Sequence, residues 1–343
     1  MVRSAARRPG TTAVRSTATF SRVASLVLLV GFAVGALPPE SALGASPGLL
    51  ACTVTDGRLA GLTGLASRGG MLLAVSDLAP AAVYELDADC RVTGERRVSG
   101  PVVDLEGLAV TPDGSAWLAD IGGRRGPREE IALVELSPDA KSVTRYRLRY
   151  PDGPHDAQAL ALTVQRQVLV ITTSSNGTSG VYAAGPPVLA EGVMQLERVA
   201  EVDLSAVPGR STVPGATLVT GAAVSPDGTR LALRTYSDVF EWDAPDTDLL
   251  LALREREPVL TRLPPTGQGE GEAMTYRTDG RTLLVGAQGH PSPLYQVSLT
   301  RGATPAAALP VPPRLGWVGV AALCLLALIS AGLTVASRFD DGR

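Results

Sequence analysis

Between residues 47 and 301 the apolar positions come in short runs separated by Asp-Gly or Gly-Gly dipeptides, and the flanks of these dipeptides repeat. Asp104-Leu-Glu-Gly-Leu-Ala-Val-Thr-Pro-Asp-Gly114 is followed by Ser-Ala-Trp-Leu-Ala-Asp120. Thr220-Gly-Ala-Ala-Val-Ser-Pro-Asp-Gly228 is followed by Thr-Arg-Leu-Ala-Leu-Arg234, and Glu270-Gly-Glu-Ala-Met-Thr-Tyr-Arg-Thr-Asp-Gly280 by Arg-Thr-Leu-Leu-Val-Gly286. Two weaker copies begin at Leu62 and Asp156. Each copy predicts a strand, a tight hairpin turn and a second apolar strand, because Asp-Gly readily adopts the backbone twist that a short hairpin needs.

A third strand with an aromatic signature follows in most copies: Val83-Tyr84, Val181-Tyr182, Val239-Phe240-Glu-Trp242 and Leu294-Tyr295. A more polar fourth strand closes the unit, as in Thr144-Arg-Tyr-Arg-Leu-Arg-Tyr150. Leu65, Leu108, Leu160, Ala222 and Met274 fall at equivalent positions, 43, 52, 62 and 52 residues apart. Four-stranded units at this period predict an all-β fold, a β-propeller of five blades, with six as the alternative because one interval is long. The last unit lacks a fourth strand, and Leu49 to Thr55 can supply it and close the ring. Asp246 to Glu255 reads as a helical insertion or an irregular outer strand.

The ends of the chain follow a different pattern. Residues 1–45 carry Arg3, Arg7, Arg8, Arg15 and Arg22, then the apolar run Val23 to Ala36, then a small-residue stretch ending at Ala45. This is the layout of a secretory signal peptide. Leu315 to Ser337 contains no charged residue. At about 1.5 Å per residue it is long enough to cross a bilayer core of about 30 Å as one helix. The expected organisation is a signal at 1–45, a propeller domain at 46–301, a Pro/Ala-rich stalk at 302–314, a transmembrane helix at 315–337 and a cytoplasmic tail at 338–343. The propeller would then be extracytoplasmic on a single-pass membrane protein. There Cys52 and Cys90 are expected to form a disulfide, since body cysteines outside the cytoplasm usually pair.

Composition narrows the chemistry. The net charge is −3 and the body has no basic patch, which argues against a nucleic-acid partner. Two histidines, His155 and His290, exclude a His-rich metal centre, and three cysteines cannot build a four-cysteine zinc site. All but one of the basic residues are Arg (Lys141 is the exception), which points to a GC-rich, actinobacterial genome.

The units Asp104-Leu-Glu-Gly-Leu-Ala, Val-Ser-Pro-Asp-Gly228 and Gly-Glu-Ala-Met resemble secreted propellers of the phytase-like esterase and NHL/regucalcin-like kind. More closely, Asp104–Asp120-Ile-Gly122, Tyr150-Pro-Asp-Gly-Pro-His-Asp156 and Leu233-Arg-Thr-Tyr236 are similar to a group of exported actinobacterial propellers. The resemblance covers most of residues 58–300 and is specific for fold rather than activity. Where that group usually reads Asp-Ile-Gly-Asp-Asn, this chain has Asp120-Ile-Gly-Gly-Arg124; where it reads His-Asp-Ala-Glu, this chain has His155-Asp-Ala-Gln158. Both changes remove a group able to bind a cation.

In a propeller the first strand of each blade lines the central channel. The repeat frame aligns Thr63, Glu106, Gln158, Thr220 and Glu272, with Asp104, Asp156 and Glu270 two residues before three of them. An acidic channel mouth of Asp104, Glu106, Asp156, Glu270 and Glu272 follows. Converging carboxylates repel unless they are protonated, hydrated or bridged by a hard cation, so Ca²⁺ held by Asp104, Glu106 and Glu272 is one reading and solvated charge is the other. Asp120 and Arg234, equivalent positions near the ends of second strands, are expected to meet as an ion pair, or Arg234 to bind a small anionic ligand. His155 with Asp156 is the one candidate base and orienter. Three functions fit: a cell-surface module that binds or scaffolds a ligand or extracytoplasmic protein, a Ca²⁺-dependent esterase or phosphoesterase using the acidic mouth with Arg234, and an envelope structural component with no small-molecule site.

Overall fold

The computed structural model describes residues 48–78, 80–184, 190–265 and 270–299. The expected signal, stalk, transmembrane helix and tail lie outside them. No helix among the described residues is long and apolar enough to cross a membrane.

The strands run in chain order from β1 (Leu49–Val54). Blade I is β2 (Leu62–Arg68), β3 (Met71–Ser76), β4 (Ala82–Leu86) and β5 (Val92–Arg97). Blade II is β6 (Leu105–Val110), β7 (Ala116–Asp120), β8 (Glu130–Leu136) and β9 (Val143–Arg149). Blade III is β10 (Ala157–Leu162), β11 (Val168–Thr172), β12 (Thr178–Ala184) and, after the short β13 (Val193–Gln195), β14 (Glu197–Asp203). Blade IV is β15 (Gly221–Val224), β16 (Arg230–Arg234), β17 (Asp238–Asp243) and, after helix α1 (Leu249–Glu255), β18 (Val259–Arg262). Blade V is β19 (Met274–Tyr276), β20 (Thr282–Val285), β21 (Ser292–Ser298) and β1, which pairs antiparallel with β21. The fold is a five-bladed β-propeller of four-stranded antiparallel blades. Its ring is closed by the first strand of the described chain, which covers an edge that would otherwise offer unpaired backbone groups.

The long interval between blades III and IV is not a sixth blade. Its extra residues form β13, which adds a parallel fifth strand to blade II beside β9, and the connection from Leu204 to Thr220. The stretch Asp246 to Glu255 is helical from Leu249. Asp248 caps it by accepting from Leu251 N–H at 2.9 Å, and Leu249, Ala252 and Leu253 are buried. Those three pack with Phe240 and Trp242 in the layer between blades III and IV.

The core is not one mass but five layers, one between each pair of neighbouring blades. Successive side chains of a strand point to opposite faces of its sheet. On β7, Ala116 and Leu118 therefore join the layer toward blade I, while Trp117 and Ala119 join the layer toward blade III. Both faces of the inner strands are covered, which is why they read as unbroken apolar runs. The layer between blades V and I also contains a disulfide. Cys52 of β1 and Cys90, in the turn after β4, are bonded with Cα atoms 5.7 Å apart. Closing a 38-residue loop across the ring joint contributes about 4 kcal/mol in the chain-entropy account.

Candidate functional site at the channel mouth

Three inner strands carry an extra residue against their partners. The β2–β3 register shifts between Leu62 and Gly64, β6–β7 between Leu105 and Gly107, and β10–β11 between Ala157 and Ala159. Thr63, Glu106 and Gln158 are the bulged residues, and a bulge re-aims its side chain. The neighbouring inner strands come very close here. A Cβ on Gly64 would stand 2.8 Å from Leu108 N and 2.9 Å from Gly107 C, so only glycine fits. The channel is correspondingly narrow. Thr63, Glu106 and Glu272 surround a cavity of about 10 Å³, floored by Leu65, Leu108, Leu160, Ala222 and Met274. Beyond that apolar ring, on the side of the Asp-Gly turns, the channel widens into a bowl of about 250 Å³.

The structure brings Asp104, Glu106, Asp156, Glu270 and Glu272 to the mouth side of the ring, and adds Asp77 at the end of β3. Glu106 is 7% exposed and Glu272 2%. Among the described residues no group donates a hydrogen bond to the Glu106 carboxyl. Burial first, then the charges of Glu272, Asp104, Asp156 and Asp77, push it up to about 10. Glu272 accepts from Gln288 Nε2 at 2.8 Å and shares a hydrogen bond with Glu270. Burial raises it to about 8, against the lowering effect of Gln288. Burial likewise raises Asp77 and Asp156. The Tyr236 hydroxyl, beside the same carboxyls, is raised to about 12 by burial and by Glu270 and Glu272. Thr63 is 1% exposed and its Oγ1 has no partner. Asp77 Oδ1 and Asp156 Oδ1 are also buried and unpaired among the described residues.

Two arginines of the loop between β7 and β8 pair with acids of blade II. Arg124 donates its backbone N–H to Asp104 Oδ2 at 2.7 Å and its Nε to Asp104 Oδ1 at 3.1 Å, and its Nη2 pairs with Asp77. Arg128 pairs with Asp120 at 2.9 Å.

Several expected roles are corrected by this geometry. Asp120 does not meet Arg234. It is 1% exposed, accepts from the N–H groups of Val103 and Asp104, and is paired by Arg128 and Arg145. It is a structural anchor of the blade II entrance rather than a ligand group. Arg234 is fully buried and donates to the carbonyls of Thr235, Ala273 and Gly286, clamping blade IV to blade V. Burial lowers it to about 9. The guanidinium is closed off from solvent, with its Nη2 under Gly271 and unpartnered among the described residues. His155 is not oriented by Asp156. Its Nε2 lies 2.9 Å from Asp152 Oδ1 and 3.0 Å from the Tyr182 hydroxyl, in a cluster with the Tyr150 ring. The Ca²⁺ reading finds no ready donor set either: among the described residues no group of three or more His, Cys, Asp or Glu is disposed to hold a metal ion. Both oxygens of Asp104 are already engaged by Arg124.

Sequence reasoning did not place Asp77, Tyr236, Gln288 or Arg124 in the site. Asp77 and Gln288 follow second strands, so their approach to the mouth depends on blade geometry. Arg124 carried a signal in the Gly-Gly-Arg substitution of the β7–β8 loop, read there as a loss of cation ligands rather than a gain of charge.

No family model and no curated protein matches this chain. Among solved structures it is similar to the gluconolactonase XC5397 of Xanthomonas campestris, with 18% identity over 70% of this chain and 72% of that one and a TM-score of 0.40. It is also similar to the glutaminyl cyclase of Myxococcus xanthus, with 11% identity over 74% and 97% and a TM-score of 0.47. A third is the PQQ-bound aldose sugar dehydrogenase of Streptomyces coelicolor, with 11% identity over 73% and 96% and a TM-score of 0.41.

Proposed function

We propose that this chain is a recognition propeller whose channel mouth receives a positively charged group of a ligand or partner protein. The observation that carries the reading is the Glu106–Glu272 pair. Both carboxyls line the same small cavity, and Glu106 has no donor among the described residues. A buried acid without a donor is destabilising unless it stays protonated or gains a cation. A ligand ammonium, small enough for a cavity of about 10 Å³, supplies that charge together with its hydrogen bonds. Binding is favoured over hydrolysis because Arg234 is buried away from solvent and His155 is held by Asp152 and Tyr182 rather than by Asp156. We further propose that residues 1–45 direct export and residues 315–337 anchor the chain, so that the mouth is presented outside the cytoplasm.

The test is calorimetric titration of the full chain with agmatine, a small guanidinium amine. One saturable site is expected, weakened by salt and lost in the Glu106→Gln/Glu272→Gln double variant. Absence of binding at millimolar agmatine, or binding that the double variant retains, overturns the reading.

A further inference from the structure

The bowl of about 250 Å³ lies at the opposite end of the channel from the acids, and it is a built pocket. Leu65, Leu108, Leu160, Ala222 and Met274 form its floor, and Val110, Leu162, Val164 and Val224 stand around them. All five blades contribute, so the pocket exists only once the ring has closed. Contacts between blades fix its rim. Arg68 of blade I donates to Asp113 O of blade II at 3.3 Å, and Arg166 of blade III pairs with Asp113 at 3.6 Å. A Cβ on Gly228 of blade IV would lie 2.7 Å from Val164 of blade III, and Arg230 of blade IV donates to Gly280 O of blade V at 2.9 Å. A pocket held open in this way needs no rearrangement to receive a ligand.

The walls set the chemistry of that ligand. Their hydroxyls are already used within their own blades. Thr111 donates to Asp113 and Ser225 to Asp227. Thr163 accepts from the Gln167 N–H at 3.0 Å, and Thr275 donates to Tyr276 O at 3.2 Å. Tyr276 is the one aromatic ring among the described lining residues, and its hydroxyl donates to Glu241 at 2.5 Å. A sugar or nucleobase needs rings to stack on or polar partners along its edge, and such walls suit it poorly. Arg68 is the one charged side chain among the described lining residues, and it stands at the exposed rim. The interior is therefore aliphatic and the rim polar, which matches a molecule with an apolar chain and a polar end. A bilayer surface cannot follow the floor down behind polar turns, whereas a single chain can. An apolar cavity of about 150 Å³ accommodates benzene, so one of about 250 Å³ takes, in proportion, about ten carbons.

We propose that the bowl is a binding site for a single-chain amphiphile, with an aliphatic chain of about ten carbons on the floor and a small uncharged polar end at the rim. The site is independent of the reading given to the mouth.

Methionine-methyl NMR of the full chain tests it. Met274 reports from the floor, and Met194, on β13 at the outer edge of blade II, serves as the internal control. The probes are butan-1-ol, hexan-1-ol and octan-1-ol, each read against its free concentration in water. The Met274 resonance is expected to shift saturably while that of Met194 stays in place. The dissociation constant should fall about fourfold per added methylene, the ratio that corresponds to about 0.8 kcal/mol per buried CH₂. Ser67→Trp, which fills the bowl from the wall of blade I, should weaken octan-1-ol by at least about tenfold. No shift at Met274, an equal shift at Met194, an affinity independent of chain length, or full affinity in a folded Ser67→Trp overturns the proposal. So does a Met274 resonance that answers phosphatidylcholine vesicles and not octan-1-ol, which would assign the bowl to a bilayer. If Ser67→Trp does not fold, the chain-length series on the wild type decides alone.

Discussion

The two ends of the channel are built from the same five strands and differ in almost every physical respect. Leu108 and Glu106 lie two residues apart on β6, both below a tenth exposed. Leu108 joins Leu65, Leu160, Ala222 and Met274 in the apolar ring that floors the bowl, and it needs nothing but contact. Glu106 sits on the other side of that ring among four further acids. Burial stabilises the first residue and works against the second. This channel is not uniform along its length. The bulge at Glu106 turns one side chain toward the mouth, while the regular pairing after it returns the strand to core packing. Apolar packing is concentrated at the bowl end and buried acid at the mouth.

Truncation at the bowl end should show the largest effect. Leu108→Ala is expected to lose about 2–4 kcal/mol in denaturant unfolding, since the deleted methyl groups leave a cavity that rigid inner strands cannot fill. At the junction of the two regions, Gly64→Ala should lose about 1–3 kcal/mol by the same assay, because the added Cβ meets backbone atoms of β6 that cannot swing away. An unchanged melting temperature there would show that the inner strands are looser than described.

The mouth should respond with the opposite sign. Glu106→Gln is expected to raise stability at pH 8 by about 1 kcal/mol, by removing a buried acid that has no donor. The pH profile sharpens this. Glu106 and Glu272 are raised to about 10 and about 8 in the folded chain, so the folded state holds protons that the unfolded state has released. Stability should therefore be undiminished below about pH 4.5, then fall as pH rises, through about 8 for Glu272 and about 10 for Glu106. The slope is at most about 1.4 kcal/mol per pH unit per group. Thermal melts from pH 5 to 9 should show this fall in the wild type and a shallower one in Glu106→Gln. The smallest effect is expected from Thr63→Val. Exchanging an unpartnered buried hydroxyl for a methyl should be neutral or stabilising by up to about 1 kcal/mol, and a clear loss would reveal a partner for Oγ1.

The hairpin repeat was legible because turn chemistry is local. Asp113, Asp227 and Asp279 each accept from backbone N–H groups two or three residues on, and such turns can be read residue by residue. The four-stranded units and the aromatic third strands were legible for the same reason. The parallel β13 strand on blade II was not, since three residues pairing with a distant blade leave no periodic trace. At the mouth, the repeat frame was enough to align the inner-strand acids. It was blind to side-chain reach. Arg234 and Asp120 occupy equivalent positions, yet Arg234 turns toward the carbonyls of blade V and Asp120 toward the amides before β6. No spacing rule separates those outcomes. They depend on which neighbouring backbone groups lack a partner.

On the proposed reading the mouth carries a buried carboxyl, Glu106, that has no counter-ion among the described residues and is available to an incoming cation. Difference infrared spectroscopy of the wild-type chain against Glu106→Gln, at pH 7 with and without agmatine, tests it most directly. The expected result is a protonated carboxylic-acid band for Glu106 in the free chain that converts to a carboxylate band as agmatine binds. A carboxylate band already present at pH 7 without agmatine, or an acid band that agmatine leaves unchanged, would contradict it.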